Sequence, residues 1–257
     1  MLSDRSKLLI GQSPGALKRP VRLVLFTTEA GCSACPDALA LVREIRAHMG
    51  KIALETYDIV MDRDKTELYG IKYTPAIVVQ DAEGRAVTFY GLIEEVFLDI
   101  LLRTIHAMAD ERIWFPDDIL RTLRHLNHEV KIRVFVETDC PLCRPVAETA
   151  VGLAIESPLI DTDIIVASDF PELIRKYRIA LLPKTTFGEN LHLEGHVTEA
   201  EFLEMIFQAE GIRPGLDRKC VVCGSASPEI ICRTCKTRIQ AEAIDHKTRV
   251  EKGLQQP

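Results

Sequence analysis

The chain carries eight cysteines, and each stands in a C-x-x-C pair: Cys32/Cys35, Cys140/Cys143, Cys220/Cys223 and Cys232/Cys235. A two-residue gap lets two sulfurs meet within one helical turn or share one metal ion, so the spacing speaks for redox or metal chemistry. A secreted disulfide scaffold scatters its cysteines to bridge distant loops, and none is scattered here. One C-x-x-C alone leaves three readings open: a redox pair, half of a metal site, or a buried pair of thiols. The residues around each pair separate them.

The first two pairs sit in a repeat. Cys32 and Cys140 are 108 residues apart, as are Cys35 and Cys143, Tyr69 and Tyr177, Ile71 and Ile179, and Pro75 and Pro183. Five matches at one offset indicate two copies of one unit. The hydrophobic patterning repeats as well. Apolar, β-branched runs predict strands over 21–27, 53–60, 76–80 and 86–90, the last two joined by the hairpin signal Asp81-Ala-Glu-Gly84. Helical spacing marks 35–49, a short segment ending near Tyr69, and 94–108. The second copy repeats this β-α-β-α-β-β-α order at 131–137, 144–155, 160–167, 170–177, 184–187, 191–194 and 198–209, with a hairpin turn at 188–190. A linking helix is expected over 117–128, opened by Pro116, and a linker over 212–216.

Each of these two pairs falls between a strand and a helix. There, unpaired N–H groups and the helix dipole stabilise an anion, which lowers a thiol's pKa. The thiolate is the attacking species in disulfide exchange. Cys32 and Cys140 are therefore expected at a helix N-terminus, reachable, as nucleophiles. Cys35 and Cys143, one turn in and shielded, are expected to resolve the mixed disulfide.

Tyr73-Thr-Pro75 and Leu181-Leu-Pro183 each open a strand, their prolines 40 residues beyond the second cysteine of the pair. With the flanking strand and helix, this arrangement resembles the thioredoxin and glutaredoxin superfamily. The resemblance implies a cis proline lying against the redox pair, and a preceding residue, here Thr74 or Leu182, that offers its backbone to an extended substrate segment. Strand addition supplies the grip. Two fused units with Cys32-Ser-Ala-Cys35 and Cys140-Pro-Leu-Cys143 look like the protein disulfide oxidoreductases of archaea and bacteria, over roughly residues 20–210. That resemblance implies dithiol–disulfide exchange, with the second site often the stronger catalyst. The sequence departs from true thioredoxins in carrying Gly31 and Asp139 where Trp usually precedes the pair. It has Phe26 and Val134 at the places matching their buried acid.

The last two pairs, Cys220-Val-Val-Cys223-Gly and Cys232-Arg-Thr-Cys235, lie eight residues apart in a segment with few large apolar residues. Four thiolates so spaced can surround one ion, and zinc in a closed structural site fits best. Metal binding then supplies the missing folding energy. Gly224 suits a knuckle turn with positive φ. The segment resembles a zinc ribbon or a rubredoxin-like module over about 217–238. Iron is the minority alternative, and a further pair of redox sites is another. A terminal helix is expected over 237–252, with residues 253–257 fraying.

The expected fold class is α/β: two tandem thioredoxin-like units, each a mixed sheet flanked by helices, plus a small metal-binding ribbon. The expected domains are 1–112, 113–212 and 213–257. A 47% hydrophobic content supports real cores, and the net charge of −6 argues against a dedicated nucleic-acid binder. Residues 216–257 hold eight basic against five acidic side chains, so the body carries the excess acid. The apolar stretch 96–109 is interrupted by Asp99, Arg103 and His106 and does not read as a membrane span. Residues 1–20 lack the apolar run of a signal peptide, and a cytoplasmic location is expected. No G-x-G-x-x-G or Walker pattern is present. With no nucleotide cofactor in this chain, electrons are expected from a separate flavoprotein, thioredoxin-reductase-like donor, as the resemblance suggests. Protein disulfides or a peroxidase are the expected substrates. His125 and His128, three apart on the linking helix, could hold a metal but read as exposed helix polarity. His192 and His196 fall on the second hairpin and the turn after it, so their H-x-x-x-H spacing does not put them on one helix face. Trp114 is expected buried between the units. The leading reading is an enzyme of thiol–disulfide exchange. The alternatives are a scaffold whose zinc ribbon recruits a partner, and a redox sensor that ejects its metal on oxidation.

Overall fold

The computed structural model describes residues 2–110, 114–212 and 219–252. The expected linker over 212–216, apart from Ile212, the expected domain junctions at 112/113 and 213, and the fraying end 253–257 lie outside the described residues. The first unit comprises β1 (Val21–Thr27), α2 (Cys35–His48), β2 (Ile52–Asp58), α3 (Arg63–Leu68), β3 (Ala76–Gln80), β4 (Ala86–Tyr90) and α4 (Glu95–Asp110), preceded by α1 (Asp4–Gln12). The second comprises β5 (Val130–Val136), α6 (Cys143–Glu156), β6 (Ile160–Val166), α7 (Pro171–Lys176), β7 (Lys184–Phe187), β8 (Leu191–Glu194) and α8 (Glu199–Ala209). It is preceded by α5 (Asp117–Leu123) and followed by α9 (Arg233–Glu251). The β-α-β-α-β-β-α order is thus present twice.

The two units share one eight-stranded sheet of order β2-β1-β3-β4-β6-β5-β7-β8. In each unit the first strand lies parallel to the second and antiparallel to the third, which pairs antiparallel with the fourth. The seam is the parallel pairing of β4 with β6, from Val87 opposite Thr162 to Tyr90 opposite Ile165. Alternate strand residues point to opposite faces. Leu23, Leu25, Ile132, Val134 and Ile164 face a core shared with α2, α4, α6 and α8. Val24, Phe26, Phe135 and Ile165 face a smaller core closed by Ile71, Phe170 and Leu173. The redox helices therefore cover one face of the sheet, while α7 and the segment that follows α3, with Tyr69 and Ile71, close the other.

Several local expectations are corrected. α1 is an additional element that hydrophobic spacing does not announce, since only Ser6 and Ile10 of it are buried; Ser3 caps it by accepting the Ser6 N–H at 3.1 Å. The linking helix stops at Leu123 rather than His128 because tertiary bonding takes over. The N–H groups of Asn127 and His128 donate to the Glu210 carboxylate, so His125 and His128 do not share a helix face. The terminal helix starts at Arg233, four residues early, and Cys235 lies in its first turn; Ile239 and Ala243 are buried but Val250 is exposed. Trp114 is half-buried. Its ring packs on Gly152 of α6, with the Arg103 guanidinium of α4 5.8 Å from its centroid, so it does sit between the units.

The repeat offset also slips by one residue. Four residues separate Thr27 from Cys32, but three separate Val136 from Cys140. Phe26 therefore corresponds to Phe135, not Val134. Both rings face the smaller core and pack on the repeated tyrosine, Tyr69 at 5.6 Å and Tyr177 at 4.9 Å. Neither position holds an acid.

Candidate redox sites and metal cluster

At the first site β1 delivers the chain to Gly31, whose φ of +80° turns it into the Cys32–Cys35 turn. That turn is closed by the Cys35 N–H donating to the Cys32 carbonyl at 3.4 Å. The regular helix is headed by the second cysteine, not the first, with Ala34 already in helical geometry before it. Pro36 sits in the first turn, where a missing N–H breaks no ladder bond. Cys35, Ala38, Leu41, Val42 and Ile45 form the buried stripe that anchors the helix. Cys35 is 5% exposed, whereas Cys32 is half-buried with its disulfide partner behind it.

The second site repeats this geometry. The Cys143 N–H donates to the Cys140 carbonyl at 3.1 Å, and α6 begins at Cys143. Cys143 is fully buried, Cys140 is half-buried, and the two are disulfide-bonded across a Cα separation of 5.4 Å. Each pair thus offers one reachable sulfur and one shielded sulfur, as exchange through a mixed disulfide requires.

Thr74–Pro75 and Leu182–Pro183 are both cis peptides. Both prolines are buried, and both preceding residues are half-buried. In each unit a glycine with positive φ donates its N–H to the proline carbonyl: Gly91 to Pro75 at 3.0 Å and Gly195 to Pro183 at 2.8 Å. Sequence reasoning missed these two glycines, although each directly follows a hairpin strand. The surroundings of the two loops differ. Tyr73 is packed among rings, while its counterpart Leu181 is 64% exposed.

On the opposite face of the sheet lies a buried acid that no motif singles out. Asp163 of β6 stands between Thr88 of β4 and Arg133 of β5 and accepts from the Lys131 ammonium at 2.6 Å. Burial pushes its carboxyl up to about 6, against the pull of Lys131.

In the C-terminal segment, Cys220, Cys223, Cys232 and Cys235 place their four sulfurs within 4.8 Å of one another. Cys223 and Cys232 are 3.8 Å apart, the edge expected of a tetrahedron with metal–sulfur bonds of about 2.3 Å. The fold supports the cluster: Gly224, at φ +73°, donates to the Cys220 carbonyl, and the Cys232 N–H points at the Cys220 sulfur at 3.3 Å. Hydrogen bonds from Ser225 pull the Cys223 thiol down to about 6, while burial pushes the Cys235 thiol up. Four soft donors in this arrangement can hold a metal ion. The module does not stand alone. Ile230, Ile231 and Ile239 are buried in the core shared by the two units, and Lys236–Glu204 (2.7 Å), Lys247–Glu199 and Arg238–Asp118 tie its basic side chains to the acidic body.

The family model for the thioredoxin domain matches residues 130–208, which hold the Cys140/Cys143 pair and Leu182–Pro183. A curated relative described as a probable thioredoxin, from Methanothermobacter marburgensis, is 34% identical over 83 residues, spanning 30% of this chain and 96% of that relative. The chain belongs to the thioredoxin family. Among solved structures, the N-terminal domain of the alkylhydroperoxide reductase AhpF from Enterococcus faecalis superposes with a TM-score of 0.72 at 22% identity, covering 80% of this chain and all of that one. A protein disulfide oxidoreductase from Aeropyrum pernix K1 gives 0.69 at 22% identity, covering 80% and 91%. Both establish the doubled thioredoxin fold. The family relationship and two C-x-x-C pairs at disulfide distance make this chain a thiol–disulfide oxidoreductase. Among the described residues, no helix is long and apolar enough to cross a membrane.

Proposed function

We propose that the protein exchanges dithiols for disulfides on protein substrates at two sites. The Cys32 or Cys140 thiolate attacks a substrate disulfide, forms a mixed disulfide and expels one substrate thiolate. The thiolate of Cys35 or Cys143 then attacks that leading sulfur, releasing the second substrate thiol and leaving the enzyme pair oxidised. Two electrons and two protons from a flavoprotein reductase reset it. Thr74 and Pro75, and Leu182 and Pro183, shape the grooves in which an extended substrate segment lies. The observation that carries this reading is the same in both units: a half-buried leading sulfur bonded to a buried following sulfur at the head of a helix.

The units divide as 1–112 and 113–212, with a module over 213–257 in which Cys220, Cys223, Cys232 and Cys235 hold a structural zinc ion. A zinc ion there fastens the knuckles while the apolar residues of α9 dock on the body. Reducible pairs beside four cysteines outside any disulfide suit the cytoplasm. Physiological substrates are protein disulfides, including those of a peroxidase.

The test is turnover of an insulin disulfide with dithiothreitol, in Cys32→Ser and Cys140→Ser singly and combined. Each single variant is expected to retain part of the activity and the combination to lose it. Unchanged turnover in the combination contradicts the reading.

A further inference from the structure

We propose that Asp169, a residue of the second unit, is a positioning residue for the first redox site. The inference rests on the reading that Thr74 and Pro75 present the substrate groove of Cys32.

The Pro75 carbonyl is held by the Gly91 N–H at 3.0 Å. The next N–H, that of Leu92, donates to the Asp169 carboxylate at 2.7 Å. Asp169 closes over Gly91 so tightly that a Cβ built there would lie 2.5 Å from its Oδ2. Gly91 is thus required twice, by its φ of +97° and by the approach of another unit's carboxylate. One residue further on, Phe170 stacks edge-on against Tyr73 at 5.7 Å and Tyr90 at 6.4 Å. Tyr73 directly precedes Thr74–Pro75. The backbone on both sides of the first proline loop is therefore braced by two consecutive residues from across the seam.

Among the described residues, the second loop has no such brace. Gly195 makes the same bond to Pro183, but nothing stands within 4 Å of where its Cβ would be, and Leu181 projects into solvent. The repeat places the first site against its neighbour and leaves the second at the open end of the sheet. A substrate strand pairs best with backbone already fixed in the bound geometry, so ordering shows up in binding rather than in sulfur chemistry. Asp169 accordingly governs substrate capture at Cys32 and is silent at Cys140.

The test uses full-length protein with one working site at a time. In Cys140→Ser/Cys143→Ser, which leaves the first site, Asp169→Ala is expected to raise KM for a disulfide peptide roughly threefold to tenfold, the scale of one lost solvent-exposed hydrogen bond, with kcat little changed. Asp169→Asn, which keeps an oxygen for the Leu92 N–H, should recover most of the loss. In Cys32→Ser/Cys35→Ser, Asp169→Ala should alter neither constant, which also shows that the variant folds. An unchanged KM at the first site, or an equal rise at both sites, overturns the inference. Absence of exchange in the first-site protein before Asp169 is touched overturns the functional reading of Cys32 and the inference with it.

Discussion

The Arg144 guanidinium lies 2.5 Å from the Asp99 carboxylate. Arg144 directly follows Cys143 at the head of α6, and Asp99 lies on α4 of the other unit, so the second redox helix is tethered at its chemical end to the first unit. Glu148 extends the link by accepting from both Arg144, at 3.1 Å, and Arg103, at 2.7 Å. These side chains are more than a third exposed apart from Glu148, so each pair contributes little alone, about 0.2–1 kcal/mol. A double-mutant cycle on Arg144→Ala and Asp99→Ala, read by urea denaturation, should give a coupling in that range that shrinks in molar salt. A coupling insensitive to salt would mean the contact is held by packing.

Packing at the same interface is tighter at Trp114. A Cβ on Gly152 would overlap the indole Cδ1, so the ring or the helix must shift to admit it. Gly152→Ala should destabilise the protein by about 1–3 kcal/mol through overpacking, despite alanine's better helix propensity. In a Trp114→Ala background the same change should be neutral or stabilising. Thermal melts of the four proteins check the sign reversal.

Asp163 gives a pH dependence of defined sign. Its folded carboxyl titrates at about 6, above the ordinary value of 3.8, so between these pH values the folded state binds more protons than the unfolded chain. Stability from this group is therefore fully present below about pH 4 and declines as pH rises through about 6, by an amount on the order of 1–3 kcal/mol. Asp163→Asn should flatten the stability profile across that window. A profile identical to the parent's would show that Asp163 is ionised throughout.

The C-terminal cluster predicts one tightly held metal ion per chain. Purified protein should contain about one equivalent of zinc by elemental analysis, and cobalt should bind with the intense visible bands of tetrahedral sulfur coordination. Cys223→Ser or Cys232→Ser should abolish both signals while leaving Cys32 and Cys140 able to turn over. Iron in place of zinc would make the tail an electron carrier instead.

The chemistry of this chain is legible in its sequence because it is written in residue types at fixed spacings. Cysteine pairs and strand-opening prolines keep their offset whatever surrounds them, and the buried runs from Val21 and Val130 declare themselves by composition. What stays hidden depends on partners far along the chain. Nothing in 86–90 announces that Tyr90 will lie opposite Ile165, so the fusion of two sheets into one is not foreseeable. A polar Asp169 in a polar turn gives no hint that it closes on Gly91. Helical spacing overruns the end of α5 because Glu210 competes for the N–H groups of Asn127 and His128. A constant offset of 108 conceals the one-residue slip that pairs Phe26 with Phe135.

The proposed exchange depends on a division of labour within each pair, a leading sulfur that attacks and a buried one that releases. Trapping measures this directly. With Cys35→Ser and Cys143→Ser combined, incubation with an oxidised protein substrate should accumulate mixed disulfides that peptide mapping places on Cys32 and Cys140. Adducts carried instead by Cys35 and Cys143 in the reciprocal variants, or no adduct on either leading cysteine, would contradict it.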